Sequence, residues 1–170
     1  PAASEEAPTV LIAGFGRMGL RIATLMRDAR VSYVAIEQRQ PLVAKGRGEG
    51  YAVYFGNASQ ADVLRSAGVA HAKLMVVAID NPEVVEFVVA EVHRLYPKLP
   101  IFARGHSRQR CERLLKVGAS GVVSENLEAS LQLARFALTA TGVDEELAER
   151  ELEAYRHEYY NYLVRQTSEE

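Results

Sequence analysis

Short apolar runs rich in β-branched residues alternate with amphipathic stretches along most of this chain, and that rhythm predicts alternating strands and helices. The apolar runs at 10–13, 33–36, 52–55, 74–79, 101–103 and 121–123 read as strands. Between them, helical periodicity places helices near 17–30, 40–48, 59–67, 82–96 and 107–117. Strand and helix in strict alternation is the pattern of βαβ units, so the fold class is α/β: a doubly wound, Rossmann-like parallel sheet of six strands. The run at 74–79 is apolar on both faces and reads as a central strand. Asn81-Pro82 offers a cap followed by a proline at the first helical position. Gly68 and Gly118 each follow a helical stretch, where a left-handed residue is expected.

After residue 123 the rhythm changes. Leu127, Leu131, Ala134 and Leu138 mark one helix over 126–141. Gly142 interrupts it, and a second, highly charged helix runs from 144 to about 164. No seventh strand follows, so the apolar stripe of these helices must pack on the domain surface or on another copy of the protein. The segments expected are a linker over 1–8, a nucleotide-binding unit over 9–125, a helix over 126–142, and a peripheral helix with a frayed tail over 143–170.

Composition narrows the class. The chain has 170 residues, 48% hydrophobic and 25% charged, as expected for a globular domain with an appended helix. A formal net charge of -2 gives no reason to expect a nucleic-acid partner. Cys111 is the sole cysteine, which rules out a disulfide within the chain and suits a reducing compartment. No apolar run approaches the roughly 18–20 residues of a membrane span, and no signal peptide is visible. The absence of an initial methionine and the small, acidic opening segment favour a domain excised from a longer protein.

The candidate chemistry starts at Gly14-Phe15-Gly16-Arg17-Met18-Gly19, a Gly-x-Gly-x-x-Gly sequence between the first strand and the first helix. Such a loop presents a bare helix N-terminus to a phosphate. Gly14 allows the tight turn, Gly16 lets the backbone approach the ligand, and Gly19 lets helix and strand lie close. Glu37 ends the second apolar run 18 residues after Gly19, where an acid accepts from ribose hydroxyls and disfavours a 2′-phosphate. In a doubly wound sheet the ligand sits beyond the carboxyl ends of the strands. The other residues expected there are Gln38, Arg39, Gly56, Asn57, Ala58, Ile79, Asp80, Arg104 and Glu125. Arg39 reads either as a partner for added phosphate or as a solvated loop charge. Arg17 and Arg104 read as anion ligands or surface charges, and Asp80 and Asn81 both have the chemistry to cap a helix.

A catalyst is harder to find. No tyrosine is followed four residues later by lysine, and the four histidines show no metal-ligand spacing. Cys111 reads as a buried thiol. No P-loop or nucleophile elbow is present, so the residues favour a binding module over an enzyme.

These motifs resemble the RCK (KTN, TrkA-N) domains that regulate potassium channels and transporters, over roughly residues 9–142. Beyond the glycine loop, the resemblance rests on Tyr54-Phe55-Gly56-Asn57-Ala58-Ser59, Asp62 to Val69, Val77 to Pro82, and Ile101 to Arg104. Glu125 to Leu133 is closest to the Kef/KEA branch of potassium/proton antiporters. The resemblance implies a non-catalytic regulatory domain at the cytoplasmic face of a membrane, fused to the membrane transporter domain of its parent chain. It also implies a homodimer exchanging the helix near 127–141, and an adenine nucleotide (AMP, NAD(H), ADP or ATP) at the glycine loop. Glutathione is implied as a second ligand near Arg17 and Arg104. Asn57 departs from the family's aspartate and leaves nucleotide preference open. A small NAD-dependent oxidoreductase and a free-standing channel subunit are the alternatives.

Overall fold

The computed structural model describes residues 7–168. Six strands form one all-parallel sheet: β1 Val10–Ala13, β2 Tyr33–Glu37, β3 Val53–Phe55, β4 Leu74–Val77, β5 Ile101–Gly105 and β6 Gly121–Ser124. Their lateral order is β3-β2-β1-β4-β5-β6, so the chain winds outward to β3 and returns to the middle at β4. The crevice of such a sheet opens where the winding reverses, between the ends of β1 and β4. Helices α1 Arg17–Asp28, α2 Gln40–Gly48, α3 Ala61–Ser66, α4 Pro82–Leu95 and α5 Arg108–Lys116 follow the first five strands. Two more, α6 Glu125–Ala140 and α7 Glu145–Ser168, follow β6.

Apolar residues on both faces of β1 and β2 leave every position of these strands buried. One face packs Ile12, Tyr33 and Ala35 against Phe15, Ala23 and Val43 of the glycine loop, α1 and α2. The other packs Leu11, Ile36, Met75 and Ile101 against Leu64, Val85, Val89 and Leu114 of α3, α4 and α5. The expected central strand is indeed central, with β4 paired to β1 and β5.

Several boundaries differ from the sequence reading for local reasons. The first helix ends at Asp28 rather than 30, because Arg30 adopts a left-handed φ of 58°. The third begins at Ala61 rather than 59, because the Asn57 side chain accepts from the Ser59 N–H at 2.9 Å and holds 57–59 in a turn. Strand β4 stops at Val77, after which the Ala78 N–H makes one last bond to Ala13. Strand β5 continues two residues beyond 103, because Arg104 and Gly105 still pair with Val123 and Ser124. Helix α7 runs to Ser168. Gly68 and Gly118 take the expected left-handed conformation, with φ of 96° and 119°. Of the expected linker only Ala7 and Pro8 are described, and Pro8 is buried against Gly68. Residues 1–6, and the 169–170 part of the expected frayed end, lie outside the described residues.

Helices α6 and α7 form an antiparallel pair. Leu127 and Leu131 meet Leu152, flanked by Ala134, Leu138, Tyr159 and Tyr160. Polar contacts fix the pairing: Arg156 and the Tyr160 hydroxyl both donate to Glu128, and Arg135 pairs with Glu149. The Tyr160 oxygen also accepts from the Ser124 N–H at 3.1 Å, tying α7 to the end of β6. The opposite side of α6 stays open, with Leu133 and Phe136 exposed. So does one sheet face at β5 and β6, where Phe102 and Val123 are exposed.

Candidate functional site

The three glycines of the loop do separate jobs. Gly14 has a φ of 102°, which disfavours any side chain. A Cβ on Gly19 would sit 2.0 Å from the Gly14 carbonyl oxygen, so only glycine lets α1 lie this close to the loop. Gly16 is different: the nearest atom to a Cβ there is Arg39 Nη2, at 3.4 Å. Gly16 therefore has room for a Cβ, which would touch only the Arg39 and Asp80 side chains at the cavity rim.

The loop borders a cavity of about 270 Å³ over the ends of β1, β2, β3 and β4. Of the sequence candidates it brings together Gly14, Gly16, Glu37, Gln38, Arg39, Gly56, Asn57, Ala58, Ile79 and Asp80. Helix α1 opens onto it with no side-chain cap and no acid in its first turn. Asn81, Ser107 and Ser124 cap α4, α5 and α6 through their side chains, whereas α2 and α3 share the lack of a cap with α1. Asn81 is thus the cap that the sequence allowed at this position, while Asp80 instead pairs with Arg104. The free N–H groups and positive end of α1 are left available for an anion.

Glu37 is buried, yet its carboxylate is fully engaged. Oε1 accepts from the Phe15 N–H at 3.1 Å and from Arg39 Nη2 at 3.1 Å. Oε2 accepts from the Arg39 N–H at 2.9 Å and from its Nε at 3.3 Å. Burial pushes its pKa up, but the bonds from Arg39 and Phe15 outweigh this and hold it below the usual value. The residue fastens the glycine loop to the end of β2. Arg39 is accordingly more than a loose loop charge: its guanidinium is exposed, bound to Glu37 and lies beside Gly16. A sugar hydroxyl pair can take the Glu37 oxygens when Arg39 turns outward, and a phosphate in front of Gly16 would draw that guanidinium to itself.

Other candidates lie elsewhere. Phe15 is buried and packs on Tyr51, with ring centroids 5.5 Å apart; only its N–H serves the site. Met18 packs against the same core. Arg17 is exposed on the first turn of α1, outside the cavity lining. Arg104 and Glu125 line a second cavity of about 280 Å³ beyond β4 and β5, which shares Ile79 and Asp80 with the first. There Arg104 bridges Asp80 and Glu125, the latter at 2.8 Å. Arg110 stands 3.9 Å from Glu86. The sequence reading missed Val84 and Val88, the apolar wall that α4 gives the first cavity. Their four-residue spacing after Asn81-Pro82 was the available signal. Cys111 is buried as expected, and burial pushes its thiol up to about 11. No group of potential metal ligands occurs among the described residues. No helix among them is long and apolar enough to cross a membrane.

A family model for the TrkA-N domain matches residues 10–125. Among solved structures, the chain is similar to the Kef C-terminal domain of Shewanella denitrificans in its AMP-bound form. The two share 27% identity over 94% of this chain and 97% of that one, with a TM-score of 0.78. It is also similar to GsuK bound to ADP, at 25% identity and a TM-score of 0.60, over 72% of this chain and 31% of that one. The TrkA-N domain of the inner membrane protein YbaL from Escherichia coli shares the fold. There the TM-score is 0.70 and identity 24%, over 76% of this chain and 96% of that one.

Proposed function

The chain belongs to the TrkA-N domain family, and on that premise we propose that it is a regulatory, non-catalytic domain that senses an adenine nucleotide. AMP, ADP, ATP or NAD(H) would place its phosphate at the N-terminus of α1, in front of Gly16, and its ribose hydroxyls on Glu37. The observation that carries this reading is the uncapped α1 facing a cavity whose only buried carboxylate sits at the end of β2. The AMP and ADP held by its relatives support the ligand class. Ile36, Ile79, Val84 and Val88 supply apolar walls for a base. The second cavity, with arginines and carboxylates side by side, suits a zwitterionic second ligand such as glutathione.

The proposed output is a homodimer that passes ligand binding to a membrane potassium/proton antiporter in the parent chain, from the cytoplasmic face. Residues 9–125 would be the sensing unit and 126–142 the dimerisation helix. The exposed Leu133 and Phe136 of α6, together with the bare β5–β6 face around Phe102 and Val123, support a second copy as the missing cover. A ligand gates only through different affinities for two dimer arrangements. Phe136→Asp is expected to convert the dimer to a monomer, as read by light scattering. A wild-type monomer at all concentrations overturns the dimer.

Gly16→Ala tests the nucleotide site. Its Cβ meets no atom closer than 3.4 Å and the backbone there has a negative φ, so the variant should melt within about 1 °C of wild type. It should nonetheless bind AMP at least tenfold more weakly in calorimetric titration, because the methyl group occupies the phosphate approach. Equal AMP binding by Gly16→Ala and wild type, or no binding by either, sinks the proposal.

A further inference from the structure

We infer that the end of the sheet where the strands begin docks on an anionic lipid bilayer. The inference rests on the membrane location proposed above and takes nothing from the nucleotide reading. All strand pairs are parallel, so the six strands begin at one end, opposite the two cavities. The five segments that lead from the last turn of a helix to the next strand lie at that end: 27–32, 45–52, 65–73, 94–100 and 113–120. Each holds two lysines or arginines, which together are ten of the 20 in the chain. Only two of the 22 acids, Asp28 and Glu49, join them. A chain of formal net charge -2 thus has one strongly cationic end.

Most of that charge is unpaired. Arg30, Arg65, Lys73, Lys98 and Arg113 are exposed, and their side chains have no ion pair or hydrogen bond among the described residues. Arg47 is exposed too, and its Nε donates only to the Val53 carbonyl, at 2.9 Å. Complementing the negative ends of helices accounts for Arg47, Arg65 and Arg113, which sit in last turns. It does not account for Arg30, Lys73 and Lys98, which stand in loops outside any helix.

The layout selects the partner. In sheet order these cations precede β3, β2, β4, β5 and β6, a row about 24 Å long at about 4.8 Å per strand. The one strand start without a cation is β1, where the chain itself enters. There the Thr9 and Val10 N–H groups donate to the Ser32 carbonyl, and the Thr9 carbonyl accepts from the Lys73 N–H at 2.8 Å. The entering chain is therefore flanked by the loops that carry Arg30 and Lys73. With the membrane domain of the parent chain ahead of this entry, the cationic end is the one brought to the headgroups. A broad row of free cations matches a flat anionic surface, to which each adds binding energy without needing a shaped pocket.

Sedimenting the 170-residue chain with lipid vesicles tests the inference. The chain should pellet with mixed phosphatidylglycerol and phosphatidylcholine at low salt, and stay in solution with phosphatidylcholine alone. Salt at about 1 M, where the screening length is about 3 Å, should release it. Each cation near such a surface strengthens binding about fivefold, so Lys73→Glu/Lys98→Glu should weaken it about tenfold or more. Arg17→Glu/Arg21→Glu makes the same change in net charge on the first turns of α1, at the other end, and should weaken it less than about threefold. Equal losses in the two variants, or a wild type that does not pellet with the mixed vesicles, overturn the inference. Duplex DNA bound as tightly as those vesicles at the same salt overturns the choice of partner. The two readings above fail separately: the nucleotide site by AMP titration, and the membrane location by a parent chain missing from the membrane fraction.

Discussion

Gly19→Ala should cost the fold about 3 kcal/mol or more and abolish nucleotide binding together. The added Cβ would lie 2.0 Å from the Gly14 carbonyl oxygen and 2.8 Å from its carbon, and both obstacles are backbone. No side chain can rotate away to make room. Helix α1 is pinned by fully buried Ala23, and Gly14 is tied to β2 by its N–H, which donates to the Ile36 carbonyl at 2.8 Å. Relief therefore requires the helix to leave the strand, which breaks the loop that faces the cavity. For a domain of this size the penalty corresponds to a melting point lowered by roughly 6–12 °C. Circular dichroism melting and AMP titration check it side by side with Gly16→Ala, which should lose only the second property. A Gly19→Ala protein that melts like wild type would show that the helix can shift freely here.

Glu37→Ala should weaken AMP binding roughly 10- to 100-fold, the equivalent of one or more charge-assisted hydrogen bonds to the ribose. Its effect on the fold is more modest, because the two groups it strands differ. The exposed Arg39 guanidinium returns to water at little cost. The buried Phe15 N–H loses its acceptor, and that costs about 1–3 kcal/mol. The sign of the pH dependence follows from the lowered pKa of Glu37. Burial works against the charged form, but the donors from Arg39 and Phe15 prevail, so the folded protein holds the proton less tightly than the unfolded chain. The stabilisation is complete above the ordinary carboxylate range and is lost as pH falls through the lowered folded value. Urea titrations should show wild type and Glu37→Ala separated by a constant gap at neutral pH that narrows below about pH 4. A gap of unchanged size in acid would mean the carboxylate stabilises nothing through its charge.

The sheet was legible because its strands are short, apolar and separated by turns with definite chemistry. The Asn81 cap and the left-handed glycines at 68 and 118 follow from local stereochemistry, which needs no knowledge of the rest of the chain. The glycine loop was legible for the same reason, and Gly14, Gly16 and Glu37 meet at one cavity. What the sequence did not disclose were pairings made across the fold. Arg39 sits two residues from Glu37, but nothing local says that it folds back onto that carboxylate rather than extending into water. Asp80 and Arg104 are 24 residues apart, and only the β4–β5 pairing brings them into contact. Phe15 and Met18 fall inside a binding motif, yet strand-to-helix geometry turns both side chains into the core. In the Asn57-x-Ser59 sequence the turn was readable in principle, from a side-chain oxygen placed to accept the Ser59 N–H two residues on.

Asp80 belongs to the walls of both cavities, and through Arg104 it is joined to Glu125, the first residue of α6. A chain of ion pairs thus runs from the rim of the first cavity to the foot of the helix that carries the exposed Leu133 and Phe136. Linkage works equally in both directions, so a partner on α6 whose docking is strengthened by a ligand in the first cavity would strengthen that ligand's binding by the same factor. With such coupling, the concentration at which the pocket half-fills becomes a property of the assembly and not of the domain alone. If the domain is mounted on a membrane partner as proposed, the ratio of the thresholds measured with and without that partner would report the strength of the coupling.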